Sequence, residues 1–290
     1  MDFSHSSFQH STIPIFHKKG MTMIKSDSIR AKVRERYAGI VTGNRKGRGA
    51  TTLCCCSAKA PSAREQSAKL GYSAKELDVV PEGANMGLGC GNPQAIAMLK
   101  KGEIVVDLGA GGGFDCFLAA KHVGPRGKVI GIDMTPEMVA TARENARKGK
   151  FTNVEFRLGE IEHLPVADNT ADVILSNCVI NLSPDKPQVY RDAYRVLKTG
   201  GRLAISDLVE VKQMPASLRR DSEKHSGCIS GASPVLELKR IMKSAGFRDI
   251  CVTVKDESAA FIKDWFPGSG VEKYVRSASV QATKPRGHCR

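Results

Sequence analysis

Three cysteines lie in short segments whose composition favours turns over regular structure: Cys90 in "PEGANMGLGCGNP", Cys178 in "SNCVINLSPDK" and Cys228 in "SGCISGA". Cys116, in an apolar helical stretch, and Cys251, in a strand-like one, read instead as small buried hydrophobes. A thiolate is a poor general base for an alcohol but a good ligand for a soft ion. No C-x-x-C pair or Cys/His block accompanies the three, so a shared site would have to be assembled by the fold. A second stretch with chemical potential is "VVDLGAGGGFD", where Gly109, Gly111 and Gly113 let the backbone turn sharply against a ligand. The dinucleotide fingerprint G-x-G-x-x-G is not met. Its third glycine would fall on Phe114 or on Cys116, which argues against a pyrophosphate cofactor.

The elements that must position these residues are legible from Glu103 onward as alternating strands and helices, the pattern of a parallel sheet with crossover helices. "EIVVDLG", "KVIGIDM", "VEFRLGE", "ADVILSNC" and "RLAISDLV" read as the first five strands, and "RDICVTVKD" and "YVRSASVQATK" as two more. "FDCFLAAKHVG" follows the glycine loop as a helix. The next helix opens with Thr135 as N-cap and Pro136 in its first turn. "KPQVYRDAYRVLKTGG" reads as a helix ended by its glycines. Cys178 therefore falls at the end of strand four, and Asp133 and Met134 at the end of strand two. Ligands of open α/β sheets bind at such strand ends. Upstream, "IRAKVRERYAGIV" (29–41) has helical spacing and "PQAIAMLK" makes a short helix. The expected divisions are a disordered tail over 1–28, a helical and loop segment over 29–100, a core over 101–210, and a C-terminal part over 211–290 that completes the sheet.

Composition narrows the class. The chain has 290 residues, a net charge of +14 and 41% hydrophobic residues, enough for a sizeable core. Its basic residues are spread out, and the one dense cluster, "GNRKGRG", lacks interleaved aromatics, so no nucleic-acid role is expected. No apolar run is long enough to span a bilayer, and the N-terminus lacks a secretory pattern. Nine cysteines without such a signal fit thiol chemistry in a reducing, cytoplasmic setting better than a disulfide scaffold.

The spacing Asp107-x-Gly109-x-Gly111-x-Gly113 resembles motif I of class I S-adenosylmethionine-dependent methyltransferases. That implies a Rossmann-like fold with a mostly parallel seven-stranded sheet, here with a Cys-containing N-terminal extension and a small α+β substrate-binding part. In such enzymes an acid like Asp133 accepts the ribose hydroxyls, and residues like Ile161 with Glu160 or Glu162 in "GEIEHLP" flank the adenine. Met134 and Asn177 join that cofactor set. With the three cysteine segments added, the chain closely resembles arsenite S-adenosylmethionine methyltransferases, from about Ile29 to Pro285. The resemblance implies that Cys178 and Cys228 ligate trivalent arsenic, with Cys90 as a third ligand or redox partner. A further family cysteine corresponds to one of Cys54, Cys55 and Cys56, with Cys55 as the choice. It also implies a lone-pair attack by arsenic on the sulfonium methyl, which needs no base. Nearby thiols would then supply the two electrons by closing a disulfide, such as Cys90 with one of Cys54 to Cys56, which thioredoxin or glutathione would reopen. The expected partners are arsenite or its thiol complexes and a thioredoxin-type reductant, with the chain a monomer. Two other readings compete: a methyltransferase of this fold acting on a carbon substrate such as a quinone or sterol, and a non-catalytic soft-metal binder.

Overall fold

The computed structural model describes residues 16–43, 62–219, 221, 224 and 227–286. Five parallel strands form the heart of the sheet: β1 (Ile104–Leu108), β2 (Lys128–Asp133), β3 (Val154–Leu158), β4 (Ala171–Asn177) and β5 (Leu197–Glu210). β6 (Ser233–Pro234) adds a two-residue parallel ladder to the end of β5. β7 (Arg248–Lys255) and β8 (Val275–Thr283) close the sheet, with β8 antiparallel to both β5 and β7. The order is β3-β2-β1-β4-β5-β8-β7. The seven expected strands are all present, and β6 makes an eighth.

This order reverses direction between β1 and β4. Loops leaving the two strands diverge there and leave a crevice at their carboxyl ends, where ligands of this architecture bind. The strands that line it are buried on both faces and correspondingly apolar. Val105, Val106, Leu108, Val173, Ile174 and Leu175 are all fully inaccessible.

Helices precede and cover the sheet: α1 (Phe16–Val41), α2 (Ala63–Lys69), α3 (Ala74–Asp78), α4 (Gln94–Ala97), α5 (Phe114–Val123), α6 (Pro136–Lys148), α7 (Lys186–Val196), α8 (Ala216–Arg219), α9 (Val235–Ser244) and α10 (Ala259–Ile262). Two expectations are corrected. α1 begins at Phe16, inside the stretch expected to be a disordered tail. α7 stops at Val196 and not at the glycines. Leu197 pairs with Ala171, so "LKTGG" opens β5 with a register shift, and Gly200 donates to the Lys284 carbonyl at 2.8 Å. Burial of Leu197 in the sheet outweighs the local helix-stop signal. Thr135 does sit at the N-cap of α6 but makes no capping hydrogen bond with its side chain. The Asp133 carboxylate accepts the Thr135 amide at 2.8 Å instead.

Candidate functional site

At the end of β1 the chain turns through three glycines with positive φ, at +69° for Gly109, +52° for Gly111 and +93° for Gly113. A Cβ at Gly111 would meet nothing within 4 Å, so this glycine faces open space. Asp133 at the end of β2 accepts the Gly111 amide at 3.0 Å and pulls the loop toward itself. Burial raises the Asp133 carboxyl above its ordinary range, and the amides of Thr135 and Gly111 counter that shift. Asp107 is buried one layer deeper and accepts the Cys116 thiol at 3.1 Å. Burial, and then the neighbouring Asp115, push Asp107 well upward.

The glycine loop, Asp133, Met134, Ile161, Glu162, Asn177 and Cys178 all open onto one cleft of about 1100 Å³. Most of the sequence-expected cofactor residues thus share a cavity with Cys178, while Cys90, Cys228 and Gly113 are not part of its lining. Glu160 is turned elsewhere, toward α1. There Arg30 lies 3.3 Å from Glu160 and 3.2 Å from Glu162, and Ser183 donates to Glu162 at 2.6 Å. α1 therefore straps the loop after β3, an arrangement that nothing in the sequence of either segment announces.

Asn177 acts through its amide. Its Oδ1 accepts the Cys90 backbone amide at 3.0 Å, and its Nδ2 donates to the Gly91 carbonyl, the Tyr72 hydroxyl and Asp115 at 2.9, 3.1 and 3.1 Å. The strand-four end thereby grips the Cys90 loop. Ser277 of β8 holds the same loop from the other side, donating to the Cys90 carbonyl at 2.7 Å. Tyr72 donates to Asp115 at 2.8 Å, and Gln94 donates to the Asp115 carbonyl at 2.8 Å. Sequence reasoning missed Tyr72, Asp115 and Tyr37. Of these, only Asp115 had a signal, as an acid in the first turn after the glycine loop.

The three isolated cysteines converge. Sulfurs of Cys90 and Cys178 and a carboxylate oxygen of Asp207 all lie within 4.8 Å of one another. The Cys228 thiol donates to the Cys178 carbonyl at 2.7 Å, and all three cysteines belong to one buried apolar cluster. Cys178 (φ +60°) and Cys228 (φ +66°) adopt the left-handed backbone region, which costs an L-residue about 1–2 kcal/mol. Strain of this kind concentrates at functional sites. Cys54, Cys55 and Cys56 lie outside the described residues.

The thiol environment is apolar, with the Asp207 carboxylate beside it. Burial raises Cys90, despite a hydrogen bond from Cys178 that lowers it. For Cys178 the thiol of Cys228 acts to lower the pKa, but Cys90 and burial outweigh it and the net shift is well upward. Cys228 is raised by its hydrogen bond with Cys178 and by burial. Tyr37 of α1 lines the cleft beside these thiols. Burial, and then Cys228 and Cys178, keep its hydroxyl protonated. On balance, burial and their mutual contacts thus favour the neutral thiol form of all three. Such thiols suit a substrate whose own oxygen or sulfur leaving groups accept the protons on exchange. Alkylation by iodoacetamide at neutral pH should accordingly mark the exposed Cys251 before Cys90, Cys178 or Cys228, with labelling of the trio rising as pH rises. Peptide mapping by mass spectrometry reads the order, and prior labelling of the trio would contradict it.

Asp207 of β5 completes the polar surroundings. It accepts the Asn181 side-chain amide at 2.8 Å and the Leu208 amide at 2.8 Å. Burial pushes its carboxyl up to about 6, opposed by Lys186 and the amides. Burial brings the Lys186 ammonium down to about 8, with Asp207 working to raise it.

Residues 99–246 match a family model described as a methyltransferase domain. The chain is 49% identical to the arsenite methyltransferase of Halobacterium salinarum, over 89% of this chain and 67% of that one. Identity to the arsenite methyltransferase of Aquipseudomonas alcaligenes is 42%, over 59% of this chain and 51% of the relative, so the chain spans about half of that protein. Among solved structures, an arsenic(III) S-adenosylmethionine methyltransferase from Chlamydomonas reinhardtii superposes with a TM-score of 0.57 at 31% identity, covering 80% of this chain and 76% of that chain.

Proposed function

Because this chain belongs to the arsenite methyltransferase family, we propose that it transfers methyl groups from S-adenosylmethionine to trivalent arsenic held by its own thiols. One observation carries the reading: Cys178 lines the same cleft as the glycine loop and Asp133, while its sulfur lies within 4.8 Å of the Cys90 sulfur and its carbonyl accepts the Cys228 thiol at 2.7 Å. A single side chain therefore bridges a methyl-donor site and a soft-ion site.

The residues fit the cofactor. Open space above Gly111, with the Asp133 carboxylate beside it, matches a ligand that carries hydroxyls and no phosphate. Bound there, S-adenosylmethionine would supply an electrophilic methyl on a sulfonium centre. Met134 and Ile161 offer apolar walls, with Asn177 near the reacting end.

Arsenic enters as substrate. Arsenous acid carries hydroxyls that leave as water when neutral thiols form As–S bonds, so the raised thiol pKa values are no obstacle. Two or three sulfurs hold arsenic as a pyramid with its lone pair outward, and that lone pair is a nucleophile without a proton to lose. The site accordingly contains no base aimed into the cleft from β4, where an alcohol or amine methylating enzyme needs one. Its contribution is to orient the nucleophile and exclude water. Formation of the As–C bond as the S–CH3 bond breaks oxidises arsenic by two electrons. Two thiols closing to a disulfide return them, and thioredoxin or glutathione would reopen that disulfide. Cys55 or a neighbour is our candidate for one of these thiols. Among the described residues no helix is long and apolar enough to cross a membrane.

The test pairs calorimetric titration of S-adenosylmethionine with speciation of arsenic products after incubation with arsenite, thioredoxin and glutathione. Binding with methylated products is expected. Cofactor binding without methylated arsenic would favour a carbon-directed methyltransferase, and arsenite binding without cofactor binding a sequestering protein.

A further inference from the structure

The segment from Cys178 to Lys186 does more than carry one thiol and start α7. Lys186 is 9% exposed, although lysine is among the residues least often buried. Its ammonium donates to the Gly231 carbonyl and, at 2.8 Å, to the Ser233 hydroxyl. Both acceptors belong to the stretch that follows Cys228. Gly231 meanwhile lies so close to the turn after β4 that a Cβ there would sit 2.0 Å from the Asn181 carbonyl oxygen. Asn181 is itself fixed, because its side chain donates to Asp207 at 2.8 Å and to the Leu208 carbonyl at 2.7 Å. A chain of contacts thus runs from β5 through Asn181 and Lys186 to the Cys228 loop, and Cys228 closes it by donating to the Cys178 carbonyl at 2.7 Å.

A buried ammonium is not needed for stability at such a place, since well-packed apolar groups of similar volume often serve as well or better. What it provides is direction. An ammonium bonded to one backbone carbonyl and one hydroxyl fixes where that loop lies, whereas an apolar contact lets it slide. From this geometry we infer that Lys186 is a positioning residue that delivers Cys228 to the arsenic site by pinning Gly231 and Ser233 to the segment bearing Cys178. The inference rests on the reading of Cys228 as an arsenic ligand. Lys186 acts through the loop, in the manner of partners that orient metal ligands and whose loss costs roughly ten- to a hundredfold in affinity.

The experiment is X-ray absorption at the arsenic edge on the reduced full chain loaded with arsenite, with arsenite affinity measured in parallel. Wild type, Cys228→Ser, Lys186→Met, Lys186→Arg and Ser233→Ala are compared. Lys186→Met should show one fewer sulfur around arsenic, like Cys228→Ser, and bind arsenite about ten- to a hundredfold more weakly. Its affinity for S-adenosylmethionine should be unchanged, which a general loss of structure would not allow. Lys186→Arg should restore part of the sulfur count. Ser233→Ala, a milder change that leaves the ammonium with its backbone acceptor, should weaken arsenite binding in the same direction and carries the test if Lys186→Met does not fold. A full sulfur count with wild-type affinity in Lys186→Met, or in Ser233→Ala where it stands in, overturns the inference and leaves the function intact. Absence of any arsenic–sulfur coordination in wild type overturns both.

Discussion

Cys178→Ser should lower arsenite methylation roughly a thousandfold, about 4 kcal/mol of transition-state stabilisation at 1.36 kcal/mol per tenfold. The hydroxyl is a hard donor and does not hold trivalent arsenic as a thiolate does. Its loss also removes the side chain that lines the cleft and has its sulfur within 4.8 Å of that of Cys90. The variant should keep its fold, because serine is nearly isosteric and the backbone bond from the Cys178 amide to the Ser206 carbonyl, 2.8 Å long, is untouched. Affinity for S-adenosylmethionine should therefore stay within a few-fold of wild type, which separates loss of the nucleophile's anchor from loss of the cofactor. Cys228→Ser should behave similarly, and arsenite turnover at wild-type rates in both variants would sink the arsenic-ligand assignment.

Gly109→Ala should impair cofactor binding and stability together. Its φ of +69° is costly for any residue with a Cβ, about 1–2 kcal/mol. The added methyl would also lie 2.4 Å from a methyl of Val179, the residue that follows Cys178. Overpacking of that kind costs about 1–3 kcal/mol, so a total near 3 kcal/mol is expected. The strain has two exits, retreat of the glycine loop or displacement of Val179 with Cys178, and each disturbs one half of the site. Thermal unfolding and S-adenosylmethionine titration together read the effect. An unchanged melting temperature with unchanged affinity would show that the loop tolerates the methyl. Gly111→Ala isolates the backbone contribution, since its Cβ would meet open space at φ +52°.

The glycine loop and the strand ends were legible because each depends on local sequence. Positive φ demands glycine, and buried parallel strands demand unbroken apolar runs such as "EIVVDLG" and "ADVILS". The boundary of α7 was misread because its glycines imitate a helix stop, whereas pairing of Leu197 with Ala171 depends on a strand 26 residues earlier. Convergence of Cys90, Cys178 and Cys228 was not derivable from spacing. It came from resemblance, and the structure supplies the physical route: Asn177 grips the first loop and Lys186 the last. The clasp of Arg30 on Glu160 and Glu162 had no local signature, since a basic residue on a helix and two acids in a loop ordinarily remain in water. It links residues more than a hundred positions apart.

The hold of Asn177 on the Cys90 amide has a kinetic consequence. Both that bond and the one from Ser277 to the Cys90 carbonyl involve backbone groups, so they persist whatever the sulfur carries. The conformational entropy of gathering the ligands is lost when the chain folds and not when arsenite arrives. Capture by a scaffold already in place is governed by entry to the cleft and by exchange of leaving groups, and departure by stepwise rupture of As–S bonds, each of which can re-form before the next one breaks. A metalloid so held would have a long residence on the protein, long enough to await a fresh methyl donor, which makes repeated methylation in one binding episode a natural property of the frame.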